Sequence, residues 1–284
     1  MWPPTGVALA ALVLFGRNLW PGVFLGAVVV NVWTGAPLIV AAGIALGNTL
    51  EAVVGEYALR RIPGFRLGVD RRVDALGIVA VALISTVVSA TIGVIALSAG
   101  GIVPRDQFGQ TWLAWWQGDV LGDLVVAPFL VTWVSAPWFR TTRMRAAEAA
   151  ALGVVLLGAS LVLFLGNGDA ATALSAFRQP TTLLPLLIWA ALRFDTQGAA
   201  GATLLVSAVA VWSTALGRGP FIQTELHQSL AVLQAFMSVV AATFLVLGAV
   251  TGERHRVDRE RNELFHRERV ARAYAEEIRQ QRGA

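Results

Sequence analysis

Cysteine and lysine are both missing from this chain of 284 residues, histidine occurs three times, and charged residues make up only 14% of it. Without cysteine there are no disulfides, no thiol nucleophile and no thiolate ligand, and the redox compartment leaves no trace. The sequence also lacks a glycine-rich phosphate loop, a His-Glu-x-x-His metal motif and a Ser/His/Asp arrangement in a plausible context. No metal and no cofactor is therefore expected, and no catalytic residue stands out. No alternating pattern over ten-residue segments suggests a membrane β-barrel. Met1-Trp-Pro-Pro4 has no basic region, so it does not read as a cleavable signal peptide.

Hydrophobic residues supply 56% of the chain, with 28 glycines. Apolar runs of about 20 residues recur as far as residue 250, the length a helix needs to cross a bilayer. The expected fold is all-α: a polytopic membrane bundle over 1–252, followed by a charged connector over 253–284. Nine helical segments are expected, at about 5–16, 18–33, 36–61, 73–99, 106–135, 145–166, 180–193, 197–216 and 223–252. The first and seventh are short for a full crossing and read as half-helices.

Every one of the 22 basic residues is arginine, and the net charge is +4. Alternating the loops places ten arginines on one side (17, 60, 61, 66, 71, 72, 140, 143, 145, 193). Three fall on the other (105, 178, 218). The richer side is expected to be cytoplasmic, with the C-terminus there, as in a bacterial inner membrane. Residue 1 then lies outside, which suggests a missing first helix upstream or a misplaced start. Arginines so placed meet lipid headgroups, and nucleic acid is not an expected partner.

Within this apolar frame one stretch is out of character. On a helix, Trp112, Trp115, Trp116, Asp119 and Asp123 share a face. An aspartate at the centre of a membrane helix costs roughly 2.5–3.5 kcal/mol, so that face should point into the bundle. Asn48 and Glu51 lie in the third segment at a matching depth, roughly 18–20 Å from the outer end at 1.5 Å per residue. The fourth segment adds the hydroxyls of Ser85, Thr86, Ser89 and Thr91. Buried acids without arginine nearby share protons, hold a cation, or receive a cationic or hydroxyl-bearing ligand, with tryptophan walls offering cation–π faces. The alternative is that they only hydrogen-bond one another and fix helix register. Close glycine pairs (Gly22/Gly26, Gly43/Gly47, Gly118/Gly122) suggest helix-packing faces.

From Glu253 the composition changes abruptly, to nine arginines and seven acids over 253–282 without proline or glycine. Opposite charges at i, i+4, such as Arg256/Glu260 and Glu268/Arg272, support a solvated helix. Val250, Val257, Leu264, Ala271 and Ile278 recur every seven residues. They read as a relay stripe of a homodimeric helix continuing the last span, although charged companion positions leave a single helix open. His266 reads as a solvated tail residue rather than a phosphoacceptor.

Several strings come in order along nearly the whole chain: Trp2-Pro-Pro-Thr-Gly-Val-Ala-Leu-Ala10, Phe15-Gly-Arg-Asn-Leu-Trp-Pro-Gly22, Asn31 with Thr34-Gly35, Gly47-Asn-Thr-Leu-Glu-Ala52, Ser85-Thr86 with Ser89-Ala-Thr-Ile-Gly93, and Trp112 to Pro128. Together they resemble the membrane-associated sensor domain family, type one (MASE). The resemblance implies an integral-membrane input module of a bacterial histidine kinase, diguanylate cyclase or related protein. It also implies a helix before Trp2 and an output domain after the connector, with no ligand specified. Such a module is not itself an enzyme. The residues alone leave two other functions open, a proton- or cation-coupled transporter and a membrane scaffold that anchors a partner.

Overall fold

The computed structural model describes residues 1–135, 142–165 and 179–283. Among these residues the α-helices are α1 (Pro3–Phe15), α2 (Trp20–Trp33), α3 (Leu38–Arg60), α4 (Arg72–Ala99), α5 (Phe108–Ser135), α6 (Arg143–Leu165), α7 (Leu184–Ala215) and α8 (Leu226–Gly283). The segments containing α3 to α8 are each long and apolar enough to cross a membrane. The chain is thus a polytopic helical membrane bundle.

α1 is a half-helix. Its N-terminus carries Pro3 and Pro4, which need no intrahelical N–H partner, and the Trp2 amide donates instead to the Gly118 carbonyl at 3.0 Å. Gly118 lies well inside α5, so α1 starts within the bundle and runs toward the arginine-rich end. Two glycines permit this approach. A Cβ on Gly6 would stand 2.3 Å from the Gly122 carbonyl oxygen, and one on Gly122 would stand 2.4 Å from the Trp2 carbonyl oxygen. Gly43 and Gly47 likewise let α3 close on Ala96 and Ile92 of α4, whereas a Cβ on Gly22 or Gly26 would meet nothing within 4 Å. Two of the three expected glycine pairs therefore contribute to packing, the third pair through Gly122. Gly22/Gly26 does not. α2, with no buried residue, lies at the lipid-facing perimeter.

α7 corresponds to the seventh and eighth segments expected from sequence, separated by a break. Phe194 and Asp195 have non-helical backbone angles, and Asp195 adopts φ 55° and ψ −151°. The chain reverses there. Arg193 pairs with Glu148 near the start of α6 at 2.7 Å. Leu186 and Ala190 pack beside Leu152 on one arm, and beyond the other arm Phe221 stacks on Phe164 at the far end of α6. Residues 184–193 and 196–215 are therefore two antiparallel arms.

Arg17, Arg60, Arg66, Arg71, Arg145 and Arg193 gather at one end, as the loop alternation requires. Arg17 and Arg60 both bind the buried Glu56, Arg17 at 2.7 Å. Arg140 and Arg178 lie outside the described residues. α8 runs unbroken from the bundle core, where Leu233 and Met237 are fully buried, through residue 252 and on to Gly283. No structural boundary marks the change in composition at Glu253.

Candidate functional site

Ser89 of α4 is the hub of the intramembrane polar cluster. Its hydroxyl accepts from Trp115 Nε1 at 3.2 Å, and stands 2.8 Å from Asn48 Oδ1 and 3.0 Å from Asp119 Oδ2. A hydroxyl carries one proton, so it serves one of these two oxygens at a time. Three helices meet here at one depth: α3 through Asn48, α4 through Ser89, α5 through Trp115 and Asp119. Gly93, one turn further along α4, makes room for the Trp115 ring; a Cβ there would stand 2.8 Å from it.

Glu51, Asp119 and Asp123 are all buried, at 1–2% exposure. Glu51 lies close to Ser89 and Asp119, yet none of the Glu51 or Asp123 carboxyl oxygens meets a donor in good geometry. Such orphaned buried acceptors cost about 1–3 kcal/mol each. Among the described residues, no three acidic or imidazole side chains converge as metal ligands would.

A cavity of about 340 Å³ opens on this cluster, lined by Asn31, Asn48, Trp115, Asp119 and, from α8, Gln234. Of the residues singled out by sequence, Asn48, Trp115 and Asp119 line it. Glu51 and Asp123 do not. Ser85 donates to the Val81 carbonyl of its own helix at 2.7 Å. Trp112 and Trp116 stack on each other with centroids 6.1 Å apart and donate to Thr91 Oγ1 and the Leu83 carbonyl, clasping α4. Asn31 is among the residues that carry the family resemblance but is not a site residue expected from sequence, and Gln234 is neither. An asparagine two residues from the end of α2 looks like a cap, and a lone glutamine in an apolar span was the one readable signal.

A second polar junction forms at the arginine-rich end. His255 Nδ1 of α8 lies 2.8 Å from Asp195 Oδ1 in the turn of α7. Arg256 reaches Asp70 at 3.4 Å, and Glu253 accepts from the Arg72 amide at 3.2 Å. Thr196 donates to the Val69 carbonyl at 2.7 Å. Gly248 and Gly252 let α8 lie directly on this turn; a Cβ on Gly248 would stand 2.8 Å from Thr196 Cα. None of these contacts was anticipated, although the Asp-Thr pair between two apolar segments is a helix-start signal.

The relay stripe emerges beyond this junction. Val257 and Leu264 are exposed, at 52% and 65%; the side chains of Ala271 and Ile278 lie outside the described set. Along the rod Arg256 pairs with Glu260 at 3.3 Å and Arg272 pairs with Glu268.

No significant match was found among curated proteins or solved structures. A sequence model of the MASE1 family matches residues 1–255, the whole bundle and the first turn of the charged helix. The chain belongs to the MASE1 family and is a membrane sensory input domain of signalling proteins.

Proposed function

We propose that this domain senses its stimulus at the cavity lined by Asn48, Trp115, Asp119 and Gln234 and reports it through α8 to a cytoplasmic kinase- or cyclase-type output. One observation carries the reading: Gln234 at the cavity, Gly252 and His255 at the inner junction, and the charged rod all belong to a single unbroken helix. From Gln234 to His255 that helix spans on the order of 30 Å at 1.5 Å per residue. A ligand that pulls on Gln234 or Asp119 biases the position of α8 against α5, and the same rigid element carries the bias past Asp195 into the rod. In this reading the protein sits in a bacterial inner membrane with the rod in the cytoplasm, and the exposed Val257/Leu264 stripe pairs with a second copy.

The test is a fusion of residues 1–284 to a cyclase or kinase reporter. Asp119→Asn and Gln234→Ala are expected to abolish the response to a stimulus that moves the parent fusion. Unchanged responses in both, with normal membrane abundance, refute the site. Cation uptake by proteoliposomes above empty vesicles would favour a transporter instead.

A further inference from the structure

A cavity of about 520 Å³ that shares no lining residue with the polar chamber lies between α5, α6 and α7. Phe129 and Trp133 line it from α5, Ala149 and Gly153 from α6, and Gly201 and Leu205 from α7. All six are half-buried, and Ala150 and Ala208, which also line it, are exposed. The cavity is therefore a groove on the outer surface of the bundle, open to lipid. It exists because α6 packs on α7 and scarcely on α5, and because its walls are small: a Cβ on Gly153 would meet nothing within 4 Å. On the α5 side Trp133 reaches α7, where its Nε1 donates to the Gln197 carbonyl at 3.1 Å.

The groove is as deep as one leaflet. On α6 its lining runs from Ala146 to Leu156, about 15 Å at 1.5 Å per residue, or half of a hydrocarbon core of about 30 Å. Past that point α6 buries Leu163 and Phe164 in the bundle core. The end at Ala146 is the arginine-rich one. Phe194 belongs to the lining there, and the guanidinium carbons of Arg145 and Arg193 stand 5.8 Å and 5.9 Å from the centre of its ring. Arg143 precedes Ala146 by three positions and shares its helix face.

Charge at this mouth is unbalanced. Glu148 is held by Arg193 Nε at 2.7 and 2.9 Å. Asp70 and Asp195 line a polar pocket together with Arg145, but each has a basic partner of its own, Arg256 for Asp70 and His255 for Asp195. Arg143 and Arg145 form no ion pair among the described residues. Three arginines thus face one acid, Glu148, at the inner end of an apolar groove. A second copy in the same orientation would bring its own arginine-rich end to this depth, like charge against like. An anionic phospholipid brings the opposite charge together with a chain of matching length, and a guanidinium fork suits its phosphate.

We infer that the groove between α5 and α6 is a specific site for an anionic phospholipid, with one acyl chain between Trp133 and Gly153 and the phosphate on Arg143 and Arg145. Phe194 immediately precedes Asp195, so the headgroup sits against the turn that meets α8.

The full chain is reconstituted in phosphatidylcholine vesicles with a trace of phosphatidylglycerol carrying a mid-chain diazirine, then irradiated, and the adducts are mapped by mass spectrometry. Labelling is expected to concentrate in the peptides holding Trp133 and Gly153. α2, which has no buried residue, serves as the reference for bulk lipid. Added phosphatidylglycerol should suppress the labelling, whereas the same amount of zwitterionic phosphatidylethanolamine should not. Arg143→Gln and Arg145→Gln should each weaken it about fivefold. Gly153→Leu fills open space and should block it while leaving the melting temperature near that of the parent. Equal competition by phosphatidylethanolamine, adducts as frequent on α2 as on α6, or full labelling of the leucine variant overturns the inference. Should Gly153→Leu lower the melting temperature, the arginines decide alone, and undiminished labelling of the Arg143→Gln/Arg145→Gln double variant overturns it. Efficient disulfide formation by Gly153→Cys, in a chain otherwise without cysteine, would place a second copy in the groove and overturn it equally.

Discussion

Asp195 Oδ1 stands 2.8 Å from His255 Nδ1, tying the strained turn of α7 to the first solvated turn of α8. Backbone angles of φ 55° and ψ −151° place Asp195 next to a region that glycine alone enters freely, at a cost of order 1–3 kcal/mol. The Asp195–His255 contact returns less, because both side chains are partly exposed, at 28% and 49%, and exposed polar pairs contribute about 0.2–1 kcal/mol. Asp195→Gly is therefore expected to leave thermal stability unchanged or raised. In a reporter fusion it should shift basal output in the same direction as His255→Ala, since both release α8 from the turn. A clear fall in melting temperature, or opposite effects of the two variants on output, counts against a latch.

The glycines divide sharply by what surrounds them. A side chain on Gly6, Gly122 or Gly248 meets backbone atoms within 2.3 to 2.8 Å, and backbone cannot rotate away. Valine at any of these three should cost about 1–3 kcal/mol or more through overpacking, and Gly248→Val should also lift α8 off Thr196. Leucine at Gly22 or Gly26 should cost almost nothing. Melting temperature and monodisperse yield in detergent distinguish the two sets; a uniform penalty across all five would mean that α2 packs more tightly than its exposure indicates.

Burial of Glu51 and Asp123 gives a direct test of whether these acids are structural. Neither carboxyl has a donor in good geometry, so Glu51→Met and Asp123→Leu remove an unsatisfied acceptor and keep most of the volume. Each is expected to stabilise the fold by about 1–3 kcal/mol. Stimulus response in the reporter fusion should fall at the same time. Loss of stability instead would show that the carboxyls cement the helices, the register-fixing role that the sequence leaves open.

Much of this architecture is legible from hydropathy and arginine placement, because lipid forces every backbone group to pair within its own helix and fixes span lengths. Trp115 and Asp119 are readable as one inward face for the same reason. Ser89 as the bridge between Asn48 and Asp119 is only half legible: a hydroxyl at that depth is visible, its two partners on other helices are not. The Asp195–His255 contact spans 60 residues and depends on the chain reversing within two residues, Phe194 and Asp195. No periodicity encodes that. Gly248 and Gly252 were hidden by the abundance of glycine elsewhere, since spacing cannot tell a glycine that touches backbone from one that faces a groove.

The rod offers the cleanest experiment, because a chain without cysteine gives single-cysteine variants with no background. Val257 and Leu264 are apolar, seven residues apart, and exposed on a helix whose other described positions are mostly charged. Seven residues are close to two turns, so the two side chains lie on one stripe, and pairing with a second copy would bury both. Val257→Cys and Leu264→Cys should each form a disulfide-linked dimer under mild oxidation in membranes. Arg259→Cys and Asn262→Cys, on the opposite side of the helix, should not. A stimulus that moves α8 should change the ratio of crosslinking at 257 to that at 264, since a rotation or slide of the rod alters the two distances unequally. Equal crosslinking at all four positions would mean that the helices collide without register, and its absence everywhere would make the rod a single helix and remove the dimer from the relay.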